Sequence, residues 1–307
     1  MSFRTSSTTQ QRQNLLDLQA TQERLALNQS RIASGKRITQ PGEDPAGAAL
    51  ILDFGTSIDT NTQFLKQVDS ASSFLQYAED AVATTINDTT RLQELAQQGL
   101  SSTNAGSGRA ALAQEVAAIR ANLLAMGNTQ VQGKYIFAGT MTTTPPFADD
   151  GTGTGTLAYN GDNSTINLTV SAGSAPVATN VTGRQVFQGG APAAGSATDI
   201  FQVTLDLQAA LTTNNEAAIQ LASTRLQTIQ DNLNQVQADL GGRQAGLADV
   251  KSTLTSFNAT LQGMQSGQED TDFAQAITQY SSDQTIQSAT LSIMAKTSKV
   301  NLFDYLA

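Results

Sequence analysis

From Ile219 to Met264, apolar residues recur at alternating steps of three and four. They are Ile219, Ala222, Leu226, Ile229, Leu233, Val236 and Leu240, then Leu247, Val250, Leu254, Phe257, Leu261 and Met264. Gln, Asn, Asp, Thr and Lys fill the positions between them. Gly241–Gly242 leaves the phase intact, because Leu240 and Leu247 stand seven apart. A heptad seam of this length predicts one long helix packed lengthwise on other helices. At about 1.5 Å per residue it runs roughly 70 Å, more than a compact domain requires. The expected fold class is therefore mainly α: an elongated long-helix bundle, coiled-coil-like, whose work is a matter of shape and contact.

Two more helices complete that bundle. Residues 46–100 carry a seam of Ile58, Leu65, Val68, Leu75, Val82 and Ile86, broadened by Phe54, Phe64, Leu92 and Leu95. After a turn at 101–108, Leu112, Val116, Ile119, Leu123 and Met126 mark a third helix. Three long amphipathic helices suffice for an antiparallel bundle. Asp44 before Pro45 is a helix start, with an N-cap followed by proline in the first turn.

The pattern thins at both ends. Leu15, Leu18, Leu25 and Ile32 form a narrow stripe in which Gln22 and Gln29 take the alternating places. Short isolated helices are marginal in water, so a stripe this thin needs a partner to fold. The last helix is similar. Phe273, Ile277, Tyr280, Ile286, Leu291, Ile293, Met294 and Val300 are interrupted by Gln284 and Gln287. The chain closes with Leu302, Phe303, Tyr305 and Leu306, an apolar cluster of the kind that marks a contact surface. The two ends are expected to pair with each other and with the same pairs in neighbouring subunits, ordering on assembly. The expected interface residues are Leu18, Leu25, Ile32, Ile286, Ile293, Val300, Leu302, Phe303 and Tyr305.

Between the helices the period changes. Gly133-Lys-Tyr-Ile-Phe-Ala-Gly139 is aromatic and glycine-bounded, predicting a short strand or tight turn. Beyond Pro145–Pro146, Leu157 and Tyr159 alternate, Asn160–Gly161 is a hairpin signal, and Ile166, Leu168 and Val170 alternate. Val177, Val181, Val186 and Phe187 are read as continuing the sheet. Asp199 is placed to cap a helix that opens with Ile200, Val203 and Leu207. Three domains follow: 1–40 with 270–307 as a terminal coiled coil, 41–140 with 191–269 as the bundle, and 141–190 as a small inserted β domain.

Composition removes most chemistry. The 307 residues include no Cys, His or Trp, which rules out Cys- or His-based zinc sites, His triads, thiol nucleophiles and disulfides. The net charge of −9 opposes nucleic acid and anionic membranes as partners. No apolar run reaches the length of a membrane span. MSFRTSSTTQQRQN lacks the apolar core of a cleaved signal, so a cytosolic protein or export by a signal-independent route is expected. Gly35–Lys36 lacks the earlier glycine of a phosphate loop, and Arg37 replaces its Ser/Thr. Gly153-Thr-Gly-Thr-Leu-Ala158 precedes a strand rather than a helix, unlike a dinucleotide fingerprint. Asp149, Asp150 and Asp162 could ligate calcium, but read more simply as solvated turn carboxylates. No cofactor, metal or catalytic residue is expected.

Certain stretches carry a resemblance. Ser34-Gly-Lys-Arg-Ile38 followed by Pro41-Gly-Glu-Asp-Pro-Ala46 resembles the connector of bacterial flagellin-like axial proteins. Gly133–Gly139 and the ending Leu302-Phe-Asp-Tyr-Leu306 are similar to the hook–filament junction branch of that family, the hook-associated protein 3 type. Leu240-Gly-Gly-Arg243 matches the family's pattern inside the long helix. Glu43 stands where the family usually has a second Asp. The resemblance implies a non-enzymatic, extracellular structural subunit of the flagellum, exported without a cleaved signal through the flagellar type III channel. It implies as partners copies of itself, the first hook-associated protein, flagellin, and an export chaperone on the C-terminal helix. The alternatives are a filament flagellin and, from another class, a coiled-coil adhesin whose β insert binds a ligand.

Overall fold

The computed structural model describes residues 7–101, 107–151, 154–169, 176–190 and 196–306. Among the described residues seven helices run in chain order: α1 (Ser7–Ser34), α2 (Pro45–Leu100), α3 (Ser107–Gly127), α4 (Gly183–Phe187), α5 (Ile200–Thr212), α6 (Glu216–Glu269) and α7 (Phe273–Leu306). Between α3 and α4 lie β1 (Gln130–Val131), β2 (Lys134–Tyr135), β3 (Phe147–Asp149), β4 (Leu157–Tyr159), β5 (Asn167–Leu168) and β6 (Val177–Ala178). They form three separate antiparallel pairs, β1–β2, β3–β4 and β5–β6. The chain divides into two compact units, residues 1–61 with 256–307 and residues 62–255.

The long seam does fold as one helix, and α6 passes through Gly241–Gly242 unbroken. In the second unit its seam side chains, Ile219, Leu226, Ile229, Leu233, Leu240 and Leu247 among them, are buried. Val68, Leu75, Val82, Leu92 and Leu95 of α2 share their core, as do Val116 and Leu123 of α3. α5 packs along α3. Its N-cap Asp199 accepts hydrogen bonds from the Phe201 and Gln202 amides, as the sequence predicts. Ser107 and Gly108, assigned to a turn from sequence, open α3 instead.

The β stretch departs from expectation in its pairing. Leu157 and Tyr159 pair with Phe147–Asp149, not with the strand after Asn160–Gly161. That second strand pairs with Val177–Ala178. Val186 and Phe187 lie in α4, which starts from a capping box of Thr182 and Gln185. Strands of two or three residues cannot bury a core of their own. Phe147, Leu157, Val181, Val186 and Phe187 instead enter the core that the helices build. The Phe187 ring lies edge-on to Phe137 and Phe147 at 5.3 Å and stacks on Phe201 at 5.6 Å. Such aromatic contacts add to the gain from area alone.

The Gly133–Gly139 motif is explained residue by residue. Gln132 and Gly133 both have positive φ, the two-residue turn that joins β1 to β2. Phe137 and Ala138 are fully buried. At Gly139, with φ +67, an added Cβ would stand 1.9 Å from Asp162 Oδ1. The Asp162 carboxylate accepts from the Thr140 amide at 2.8 Å and from the Thr140 hydroxyl, which holds it below the usual carboxylate range. The Tyr159 hydroxyl donates to Phe137 O at 2.8 Å, and burial pushes its pKa up to about 12.

Phe187→Ala removes the ring at the centre of this cluster. It should destabilise the second unit by about 3–5 kcal/mol in chemical denaturation, with the helical content of the folded state unchanged.

Candidate assembly surface

The first unit is built around the connector between α1 and α2. Gly35 takes φ +72, and its carbonyl accepts from the Thr271 amide at 2.9 Å. Lys36 bridges Asp270 through the backbone and pairs with Glu269 through its ammonium. The Arg37 amide donates to Glu269 O at 2.6 Å, while its guanidinium donates to Gln268 O at 2.9 and 3.2 Å. Arg37 thus caps carbonyls that the end of α6 would leave unpaired. Asp44 caps the other helix, accepting from the Gly47 amide at 2.9 Å. Glu43 accepts from the Thr39 hydroxyl at 2.6 Å and pairs with Arg31 at 3.5 Å. The motif Ser34–Ala46 is therefore a clasp across the α6–α7 turn, closed by backbone bonds and caps. The helix break falls at Asp270–Asp272, and α6 runs on past Met264, the last residue of the seam read from sequence, to Glu269.

α1 packs along α7. Leu18, Leu25 and Ile32 are half-buried there, and the alternating seam places go to Thr21 and Asn28, both buried. Gln22 and Gln29, assigned those places from sequence, are exposed. On α7 the inward series is Ala276, Tyr280, Asp283, Gln287, Thr290 and Met294. Asp283, nearly buried, accepts from Asn28 Nδ2 at 3.1 Å and from Arg24 Nε at 3.3 Å. The seam is thus held by a polar cluster that sequence reading missed. Steps of three and four from Leu18 lead directly to Thr21 and Asn28, so the signal was present.

α6 changes phase inside this unit. After Leu254 the inward positions are Asn258, Leu261, Gln265 and Gln268. Phe257 and Met264, expected in the seam, are each 52% exposed. Gly55 of α2 lies near Gln265, and α2 and α6 each bring an asparagine into this unit, Asn61 and Asn258. Both asparagines are buried, and Asn61 Nδ2 and Asn258 Oδ1 have no hydrogen-bond partner.

The outward surface is correspondingly apolar. Leu15, Leu16, Leu50, Leu52, Phe257, Met264, Phe273, Ile277, Ile286, Leu291 and Ile293 are all exposed. The second unit is larger, yet among its described residues the exposed large hydrophobics are Tyr77, Met141, Ile166 and Leu221. Of the expected interface residues, the structure sets Leu18, Leu25 and Ile32 against α7 and turns Ile286 and Ile293 outward. The side chains of Val300, Leu302, Phe303 and Tyr305 lie outside the described residues.

Residues 5–142 match the bacterial flagellin N-terminal helical region, and residues 223–306 match the flagellin C-terminal helical region. The two matches meet in the first unit, which both ends of the chain build, and together they take in more than two thirds of the sequence. The chain belongs to the flagellin family. Within that family its curated relatives include flagellar hook-associated protein 3 of Escherichia coli, 28% identical over 120 residues, 39% of this chain and 38% of that one. The hook-associated protein 3 of Salmonella typhimurium is 28% identical over 157 residues, 51% of this chain and 48% of that one. The chain thus spans about half or less of the length of these relatives. The resemblance to the junction branch drawn from the motifs is borne out by these matches.

Solved structures show the same fold. A protein of Vibrio parahaemolyticus assigned as flagellar hook-associated superposes with a TM-score of 0.66 at 15% identity, over 74% of this flagellin-family chain and all of that one. The flagellar junction protein FlgL of Legionella pneumophila gives 0.58 at 19%, over 72% and 99%. FlgL of Bacillus cereus gives 0.57 at 18%, over 70% and 99%.

The clasp has a definite pH response. Thr39 and Arg31 hold the Glu43 carboxyl below its ordinary value of 4.5, and the Gly47 amide and Arg37 do the same for Asp44. A depressed carboxylate contributes stability that is present above its ordinary pKa and lost as pH falls through the folded value. Glu43→Gln should therefore lower the melting midpoint of the first unit at pH 7. The gap to the unmodified protein should close as pH falls through the lowered Glu43 value, beneath which the glutamic acid is as neutral as the glutamine.

Proposed function

We propose that this chain is a structural subunit of the flagellar axis, forming the junction layer between hook and filament and assembling through its N- and C-terminal helices. The observation that carries this is the inverted burial of the first unit. Polar Thr21, Asn28, Asn61, Asn258 and Asp283 are inside, and large aliphatic and aromatic side chains are outside. A unit of that kind gains most of its apolar burial from neighbours, not from its own fold. The flagellin family supports the flagellar location, and relatives named hook-associated protein 3 support the junction over the filament proper.

On this reading the partners are copies of itself, the first hook-associated protein on one side and flagellin on the other. An export chaperone binds the C-terminal helix before assembly, and the chain leaves the cell without a cleaved signal. Neither catalysis nor a cofactor has a part in it.

Deleting the gene tests the junction against the filament. Loss of a junction subunit leaves intact hooks and flagellin polymer shed into the medium, whereas loss of a sole flagellin leaves no polymer. A filament lost entirely, with no flagellin in the medium, overturns the junction reading. Ile293→Asp places a charge on the outward face of α7. It should abolish incorporation into hook–filament structures while moving the melting midpoint of the second unit by less than a degree or two. Normal incorporation of this variant would remove α7 from the interface.

A further inference from the structure

We propose that a groove in the second unit, between α2 and the strands β2 and β5, binds a small carboxylate with an apolar chain. The site lies wholly within residues 62–255, so it stands apart from the assembly reading above.

The groove encloses about 520 Å³, walled by Phe74, Ile136, Ile166 and Leu168, with Lys66 and Lys134 at its edges. Small-molecule sites hold roughly 300–1,000 Å³ behind mostly apolar walls carrying a few polar groups. The second unit buries most of its large apolar side chains, and Ile166 is one of the exceptions among its described residues. A hollow farther along α2 shares Ser70 and Phe74 with the groove and exposes another exception, Tyr77. From Lys66 to Tyr77 the helix rises roughly 16 Å. The apolar strip is therefore long and narrow, the shape of an extended chain rather than of a compact ring.

Charge sets the head group. The chain carries −9, yet among the described residues no Asp or Glu lines this groove. Asp162, behind Gly139, is turned to the Thr140 amide and hydroxyl, and Asp69 of α2 pairs with Lys251. Lys36 and Lys251 have carboxylate partners, whereas Lys66 and Lys134 have none among the described residues. Each is a point charge on a flexible four-carbon stem, able to turn to a carboxylate lying below it. Polar groups at the rim divide in the same way. Thr179 and Asn180 are taken up by bonds to the backbone of Ile166 and Ser164. The side chains of Gln67, Tyr135 and Asn167 have no hydrogen-bond partner among the described residues and are free to bond a ligand's oxygens. A cation is repelled here, and an anion without an apolar part gains nothing from the wall.

Sodium decanoate, kept below its micelle-forming concentration, is titrated into the full chain by calorimetry. The expected result is saturable binding of one decanoate per chain, with decyltrimethylammonium at least tenfold weaker and acetate not bound. Octanoate should bind about fifteenfold more weakly than decanoate, since each buried CH2 contributes about fourfold. Lys66→Met and Lys134→Met should each weaken decanoate at least threefold, and the double variant at least tenfold. Lys296→Met of α7 should leave the affinity unchanged. Decyltrimethylammonium held as tightly as decanoate, decanoate taken up in many copies without saturation, or a double lysine variant of unchanged affinity overturns the proposal. Each of these outcomes leaves the assembly reading untouched, because that reading is decided on hooks and filaments.

Discussion

The first unit depends on a polar seam. Asp283 sits at an inward position of α7 and is satisfied by Asn28 and Arg24 of α1. A buried carboxylate with one neighbour removed is strongly destabilising, so this cluster specifies how α1 and α7 meet. A polar group at a coiled-coil seam fixes register at a cost in stability. Leu18, Leu25 and Ile32 contribute area to the same seam without being fully buried. The pairing is therefore specific but weakly driven, and the remaining apolar faces of these helices stay exposed.

The clasp at Ser34–Ala46 follows the same economy. It contains little apolar burial beyond Ile38. Its order comes from groups that helix ends leave open: Arg37 on the last carbonyls of α6, Asp44 on the first amides of α2, Asp272 on the Gln275 amide of α7. Helix caps contribute about 1 kcal/mol each and act within one turn. They define where helices stop and start without requiring a core. The Ser34–Ala46 motif makes physical sense on those terms, since nearly every polar residue in it has an assigned bond.

The second unit is conventional by contrast. Its heptad positions are aliphatic, its strand pairs are too short to stand alone, and its aromatic rings cross from one element to another. Exposed ion pairs such as Asp69–Lys251 and Arg91–Glu115 add little to that. The contrast is chemical: one unit buries its large apolar side chains within itself, and the other leaves many of them exposed.

Much of this was legible in the sequence. Heptad spacing gave the long helices, Asp44–Pro45 and Asp199 gave two of their starts, and the connector and Gly133–Gly139 pointed to the family. These signals are local, since period, capping chemistry and turn chemistry act within a few residues. Tertiary structure alone decided which of two adjacent positions faces inward. A helix of 3.6 residues per turn offers Phe257 and Asn258, or Thr21 and Gln22, almost equally to a partner, and the partner's side chains make the choice. It also decided strand pairing around Asn160–Gly161, because alternation marks a strand without naming its neighbour.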